Sequence, residues 1–311
     1  VTHIPVLPTE VLELLSPKPG EVYVDCTAGL GGHAASVAAH LASQGAAGGT
    51  IVLNDVDPGN LERATRHVEG AAPGVMVVAI QGNFADLPRK LAERSLTANM
   101  VLADLGFAST QVDDPARGFS FSKDGPLDMR LDPTLPVTAE ELVSTLPESE
   151  LAELIRTYGE DREAGRIARK LVRERAQSPI TTTGRLAEIV RSAVPKRFDP
   201  HSIDPATRTF QALRIAVNDE IGSLEALLAG IERGAKAVHE GRPSWLAQGG
   251  RVALISFHSL EDRPVKRSLA DLAAKGWVKL LTSGPIGPGD EEASRNPRSR
   301  SAKLRVCRVG A

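Results

Sequence analysis

Aromatic side chains are scarce in this 311-residue chain, 4% of the total with two Trp and two Tyr. That argues against a single-strand binder built on a row of stacking platforms. Cysteine is scarcer still. Cys26 and Cys307 lie near opposite ends, too few for a disulfide framework or a cysteine-rich zinc cluster. Cys26 falls in an apolar, strand-like run where a free buried thiol is expected, which suits a reducing compartment. The formal net charge is only -2, so no global basic field announces a nucleic-acid partner, and any such partner must be met by a local patch. No apolar run reaches about 18 residues and no leader pattern of basic, apolar and small residues is present, which makes a cytoplasmic location the expectation. What remains is ordinary for a globular chain: 41% hydrophobic and 24% charged residues. The length is enough for one large domain or two of common size.

Five short apolar runs bounded by Gly, Asn or Asp read as strands, at 22–26, 50–54, 75–80, 100–103 and 251–257. Helical intervals such as 34–41 and 59–68 separate the first of them, and this alternation implies a parallel sheet covered by helices. The fifth strand is delayed by well over a hundred residues. In the gap, Thr138-Ala139-Glu140-Glu141 has the form of a capping box opening a helix that Pro147 closes. Further helices are expected over 148–159, 160–176 and 183–193, and the proline-bearing stretch 195–205 reads as a linker back. The expected organisation is therefore a discontinuous α/β domain, 1–112 and 206–311, interrupted by a helical insertion over 113–205. Phe210, Leu213, Val217, Ile221, Leu224, Leu228 and Ile231 form one apolar stripe at helical spacing, expected to be a single long helix packed on the sheet. Runs at 278–282 and 303–309 are expected to close the sheet as a hairpin.

The stretch DCTAGLGGHA (25–34) stands between the first strand and the first helix. Gly29-Leu30-Gly31-Gly32-His33-Ala34 fits the G-x-G-x-x-[GA] turn of dinucleotide-binding folds. Its physics is general: glycines admit positive φ and close backbone approach, and a helix N-terminus favours negative charge or an acceptor. Asp55, 24 residues after Gly31, stands where a carboxylate binds a ribose diol in either a dinucleotide or an S-adenosylmethionine site. The turn and Asp55 leave those two ligands open, and a tight turn with no ligand remains the bland alternative. Three further features favour the sulfonium cofactor. Asp25 closes the strand before the turn, within reach of a cationic methionine end. Gly82-Asn83-Phe84-Ala85-Asp86 supplies polar groups and a ring after the third strand. Asp104, in Ala103-Asp104-Leu105-Gly106, ends the fourth strand at the edge where open α/β sheets bind ligands. A hydride-transfer enzyme has no special need of that carboxylate, whereas a transferase acting on an amine does.

Across nearly its whole length the chain resembles a known family, the bacterial small-subunit ribosomal RNA methyltransferases that modify a cytosine on its exocyclic N4 (the MraW or RsmH family). The resemblance is carried by HIPVL (3–7), DCTAGLGGH (25–33), DLG (104–106), RGFSF (117–121), DGPLDMR (124–130), PATRTFQALRIAVNDE (205–220), SFHSLEDR (256–263) and NPRSRSAKLR (296–305). It departs from the family pattern at Leu30, where Gly or Ala is usual, and at Ala108, where a Ser is usual. The resemblance implies a class I S-adenosylmethionine-dependent methyltransferase (Rossmann-like) fold with a helical insertion. It implies S-adenosylmethionine as cofactor, no metal, and 16S ribosomal RNA, within the 30S subunit, as partner. It further implies cofactor contacts from Gly31, Gly32, His33, Asp55, Phe84, Asp104 and Gln111.

Transfer to a cytosine amine needs in-line approach and an acceptor for the amine protons. Asp104 is the first-ranked acceptor, and His258, at the end of the fifth strand, is the second candidate catalytic group. Each has a bland alternative. His33 can simply cap or pack in a first helical turn, Phe84 can be core, and His258 can be tied to Glu261 or Asp262 for structural reasons. Gln211, Arg214 and Asn218 can fasten the insertion to the sheet. For RNA, Arg162, Arg166, Arg169, Lys170 and Arg173 share one helix face but are diluted by acids. Arg295, Arg298, Arg300, Lys303, Arg305 and Arg308 span a stretch with no acid and form the stronger phosphate-binding candidate.

Overall fold

A computed structural model describes residues 4–44, 49–106, 109–195 and 204–310. The chain divides into two compact units, residues 1–106 with 221–311, and residues 107–220.

The first unit is built on a seven-stranded sheet. Its strands are β1 (Val22–Asp25), β2 (Thr50–Asp55), β3 (Met76–Gln81), β4 (Ala98–Asp104), β5 (Leu246–Ser256), β6 (Val278–Leu280) and β7 (Lys303–Val309), in the order β3-β2-β1-β4-β5-β7-β6. The first five are mutually parallel, and β7 runs antiparallel between β5 and β6. The expected strands are all present, and 278–282 and 303–309 do pair. Successive residues serve opposite faces, as a pleated strand requires. Val24, Val52, Val101 and Leu254 pack with Leu224, Leu228, Ile231, Val265 and Leu269 on one side. Tyr23, Ile51, Leu53, Met100, Leu102 and Ile255 pack with Val37, Leu41, Leu61 and Val68 on the other. A sheet covered on both faces explains why its strands read as continuous apolar runs. Strand order reverses between β1 and β4, so the crevice of this α/β sheet opens at the carboxyl ends of those strands.

The second unit is helical, with helices Ala139–Thr145, Glu148–Gly159, Ala164–Arg175, Thr183–Ala193 and Ala206–Asn218. Thr138 Oγ1 accepts from the Glu141 N–H at 3.2 Å, the N-cap its position suggests. Residues 196–203 of the proline-bearing stretch lie outside the described residues, as do His3, Phe107 and Ala108.

Two expectations are corrected. The stripe from Phe210 to Ile231 is two helices, Ala206–Asn218 and Glu220–His239, because Asp219 takes the left-handed conformation (φ 46°) and closes the first. Phe210, Leu213 and Val217 pack in the helical unit's own core, while Leu224, Leu228 and Ile231 pack on the sheet. One hydrophobic periodicity thus serves two cores. The unit boundaries consequently fall at 106/107 and 220/221, not at 112/113 and 205/206.

Arg251 ties the N-terminal helix Pro8–Leu15 to the sheet. It is 7% exposed, and its guanidinium donates to both Glu21 oxygens (2.8 and 2.7 Å) and to the carbonyls of Leu15 (2.6 Å) and Ser16 (2.9 Å). Burial pushes the Glu21 carboxyl up, but the hydrogen bonds and charge of Arg251 outweigh it and the net shift is downward. The pair therefore stabilises the fold above the ordinary Glu range, and that contribution is lost as pH falls through the depressed value. Arg251→Ala should cost about 3–5 kcal/mol in urea unfolding, because one charge and two carbonyls lose their partner. Arg251→Lys should recover only part, since an ammonium cannot reproduce the fork.

Candidate active site

The turn after β1 is shaped by its neighbours. Gly29 and Gly31 have φ of 52° and 79°, and the Gly31 N–H closes the turn on the Ala28 carbonyl at 2.7 Å. A Cβ on Gly31 would stand 2.9 Å from Ala64 Cα, in the helix Pro58–Ala71. Gly31 is thus required both by its backbone angle and by helix packing. A Cβ on Gly32, the first residue of helix Gly32–Ser43, would meet the Pro5 ring at 3.3 Å. Leu30, the departure from the family pattern, is fixed through its carbonyl, 2.9 Å from His67 Nδ1.

Three carboxylates end three strands at this edge. Asp25 is 2% exposed and accepts from the Tyr23 hydroxyl (3.1 Å) and the Thr27 N–H (3.2 Å). Burial pushes its pKa up to about 7, with the Asp55 charge adding to the shift and the two hydrogen bonds opposing it. Asp55 accepts from the Gly29 N–H (2.8 Å) and the Asp57 N–H (2.9 Å), so the second strand holds the first turn. Burial raises its pKa to about 6 against those hydrogen bonds. Asp104 is lifted well above the usual carboxylate range, by burial first and then by the charges of Asp25 and Glu261. Its N–H donates to Thr27 Oγ1 at 2.8 Å, which couples the β4 end to the turn. Its Oδ2 lies 3.7 Å from His33 Nε2, and its Oδ1 is buried without a hydrogen-bond partner among the described residues. Among those residues no Lys or Arg stands at ion-pair distance from any of the three carboxylates.

The remaining loops are tied to this edge. Asn54 Nδ2 donates to the carbonyls of Cys26 (2.9 Å) and Gly82 (3.0 Å), joining the ends of β1, β2 and β3. Asn83 caps the short turn Phe84–Asp86 and donates to Ser223 Oγ at 2.7 Å. Phe84 packs against the core with part of its ring exposed. After β5, Glu261 is 4% exposed and organises the loop: its Oε2 accepts from Phe257 N–H at 2.7 Å and lies 3.4 Å from His258 N. Its Oε1 is 3.1 Å from His258 Nε2. The structural alternative for His258 is therefore realised with Glu261. Asp262 instead holds Arg305 (2.8 and 3.2 Å) and Lys303 (3.5 Å).

Gly31, Gly32, His33, Asp55, Phe84, Asp104 and His258 thus all belong to the sheet unit and to loops at or beside the carboxyl ends of its strands. Gln111 belongs to the helical unit, where it is 4% exposed. Gln211, Arg214 and Asn218 hold segments of the insertion to one another. Gln211 bonds the Tyr158 carbonyl, Arg214 clamps Glu220 (2.7 and 2.8 Å), and Asn218 bonds the Met129 carbonyl and the Leu131 N–H. The helix Ala164–Arg175 carries its bases in ion pairs: Arg166 with Glu163, Arg169 with Glu148, and Lys170 with Glu174. Tyr23, Thr27 and Asn54 went unmarked in the sequence, and Glu261 was marked only as one of two partners for His258. The clue for Glu261 was its spacing three residues after His258, an N-cap to N3 relation.

The family model for the MraW methylase family matches residues 1–309. A relative from Heliobacterium modesticaldum is 43% identical over 323 residues, spanning 98% of this chain and 97% of its own length. One from Cyanothece sp. is 46% identical over 305 residues, spanning 98% of this chain and 94% of its own. One from Pelobacter propionicus is 44% identical over 320 residues, with 98% and 97% spanned. All three bear the name ribosomal RNA small subunit methyltransferase H. The fold is the Rossmann-like class I methyltransferase fold, and its cofactor is S-adenosylmethionine. By a match running almost end to end, the chain belongs to the MraW methylase family.

Proposed function

We propose that this methyltransferase acts on the exocyclic N4 amine of a cytidine in the decoding region of 16S ribosomal RNA, within the 30S subunit and in the cytoplasm. The observation that carries the reading is Asp104: a carboxyl at the end of β4, beside the strand-order reversal, with one buried oxygen not engaged by the described residues. The names of the relatives support an RNA substrate.

The residues fit the cofactor. Three buried carboxylates with no Lys or Arg partner among the described residues form a site short of positive charge, and S-adenosylmethionine, when bound, supplies an electrophilic methyl group on a cationic sulfur. Asp25 would face the cationic end, Asp55 would accept from the ribose diol, and Phe84 would lie against the adenine. Gly31, Gly32 and His33 would contact the cofactor at the first turn, and the helical unit, Gln111 included, would serve substrate recognition.

A cytosine amine is a weak nucleophile because its lone pair is delocalised into the ring. Asp104 accepts a hydrogen bond from that amine, favours its tetrahedral form and takes up the proton it sheds. Asp104 does this only when ionised, and positive charge entering beside it offsets the burial and repulsion that hold its proton. Cofactor occupancy and readiness of the acceptor are therefore linked. His258, oriented by Glu261, is the second polar group, contacting the base or receiving its proton. A base stacked in RNA offers no in-line path, so the nucleotide must be splayed out.

Outcomes of two kinds are expected, first in catalysis and second in cofactor binding. With labelled S-adenosylmethionine and 30S particles from cells lacking the enzyme, nucleoside analysis should find the label in N4-methylcytidine. Label in any other nucleoside would sink the reading. Asp104→Asn should lower kcat at least about 100-fold, the low end of what a positioned proton acceptor contributes, while S-adenosylhomocysteine affinity changes little. Second, a carboxyl that the fold keeps protonated must release its proton before it can serve a cation or accept from a diol. Affinity should therefore rise as pH passes upward through the values of about 6 and 7 at Asp55 and Asp25. Calorimetry from pH 5 to 8 should show the rise steeper for S-adenosylmethionine than for S-adenosylhomocysteine, which lacks the sulfonium charge. Equal slopes would contradict the assignment of Asp25.

A further inference from the structure

The acid-free span 295–308 contains six basic residues, and the fold deals them to different ends of the sheet. Because β7 is antiparallel to β5, Lys303 pairs with Ser256 at the edge that carries Asp25, Asp55 and Asp104, while Arg308 pairs with Arg251 at the far end. Arg295 is engaged by Glu291, and Arg305 by Asp262. Between them, the turn Pro297–Ser301 buries Ser299 completely, its hydroxyl donating to the Asn296 carbonyl at 2.8 Å, and leaves Arg298 and Arg300 exposed on either side.

This turn is joined to the cofactor loop by a short chain of contacts. Asn296 Nδ2 donates to the Ile4 carbonyl (3.3 Å), and Glu292 accepts from the Leu7 N–H (2.8 Å). Pro5, between them, lies against Gly32. Arg300 is steadied by its Nε bond to the Ala293 carbonyl at 3.3 Å, which leaves its terminal nitrogens facing outward. On the neighbouring helix Ser259–Ala274, Lys266 lies one turn beyond Asp262, the residue that Lys303 reaches at 3.5 Å. Lys266 and Arg267 are exposed and have no acidic partner among the described residues. Glu292, Glu291 and Asp262 are spent on Leu7, Arg295, and Arg305 with Lys303, while Asp290, at the start of helix Asp290–Arg295, is exposed. Arg267 turns away from this group, into a groove that it lines with Asp271, Glu225 and Glu232. Local charge on this rim is positive in a chain whose net charge is -2.

We infer that Arg300, Lys303 and Lys266, with Arg298, form a phosphate-binding rim that holds the sugar–phosphate backbone of the RNA strand next to the target nucleotide. The inference rests on the proposed RNA methylation and adds where the strand is gripped. Guanidinium and ammonium groups spaced along an exposed edge suit a flexible, single-stranded polyanion. The scarcity of rings nearby means that affinity comes from charge and not from stacking.

The test pairs two double variants with equal charge change, Lys266→Glu with Arg300→Glu on the rim, and Lys279→Glu with Arg308→Glu at the far end of the sheet, where those two residues face each other across the β6–β7 pair. Binding to 30S particles lacking the modification is measured from about 50 to 200 mM salt, alongside S-adenosylhomocysteine affinity and thermal stability. The rim variant should lose at least about tenfold in RNA affinity at low salt. Its slope of log K against log salt should flatten by about 1.4, the value for two single-strand phosphate contacts. Cofactor affinity and melting temperature should stay at wild-type values, and the far-end variant should bind RNA as the wild type does. Equal losses in both variants would reduce the effect to net charge and overturn the rim, as would a rim variant with an unchanged slope. Failure of the wild type itself to methylate the particles would instead defeat the underlying RNA reading.

Discussion

The constraint on which the site depends is the crowding of carboxylates at one edge of the sheet with no Lys or Arg, among the described residues, at ion-pair distance to neutralise them. Asp25, Asp55 and Asp104 end adjacent strands, all are substantially buried, and each raises the cost of ionising a neighbour. A fold that only needed stability would place a Lys or Arg there or remove the acids, since unpaired buried charge is destabilising. The arrangement makes sense when the missing charge arrives with a ligand. The unfavourable electrostatics of the apo state then become binding selectivity for a cation.

Such a cluster works only if its members cannot move apart or swing out to solvent, and much of the surrounding polar network serves that end. Tyr23 and Thr27 hold Asp25, Gly29 and Asp57 hold Asp55, and Thr27 also receives the Asp104 N–H. Asn54 then locks the ends of β1, β2 and β3 to one another. These bonds lower the carboxylates' pKa values and so oppose the burial that raises them. At Asp25 and Asp55 the balance lands at about 7 and 6, near neutrality, where small changes in local charge decide protonation. Among the described residues the Asp104 carboxyl has only its 3.7 Å approach to His33 and is lifted well above the usual range, which suits a group whose partner is brought by substrate.

How much of this was legible in the sequence depends on the range of each interaction. Strand positions and the glycine turn follow from local periodicity and turn chemistry, and they were read correctly. The helix break at Asp219 was not, because the apolar spacing runs through it unbroken from Val217 to Ile221. Only the existence of two cores tells the two halves apart. The Glu220 partner of Arg214 and the Met129 and Leu131 partners of Asn218 were not foreseen either, because apolar spacing does not say which polar groups will meet. The carboxylates were found from their places at strand ends, but their mutual repulsion is a property of strand order. Likewise Glu261 and Asp262, adjacent in sequence, serve different tasks, one fixing His258 and the loop after β5, the other anchoring β7 through Arg305.

Net charge was the least informative sequence quantity, and the structure explains why. At the same edge of the sheet the acids lie inside and the bases outside. The two populations nearly cancel in the sum while acting on different molecules. Interior carboxylates act at short range in a low-dielectric pocket, where a cation is favoured and screening is weak. Rim bases act through water on a polyanion, where salt screens them over roughly 8–10 Å. On the proposed reading, separation by burial lets one edge attract a cationic cofactor and an anionic strand without either field abolishing the other. It also predicts opposite sensitivities: cofactor affinity should respond to pH, and RNA affinity to salt.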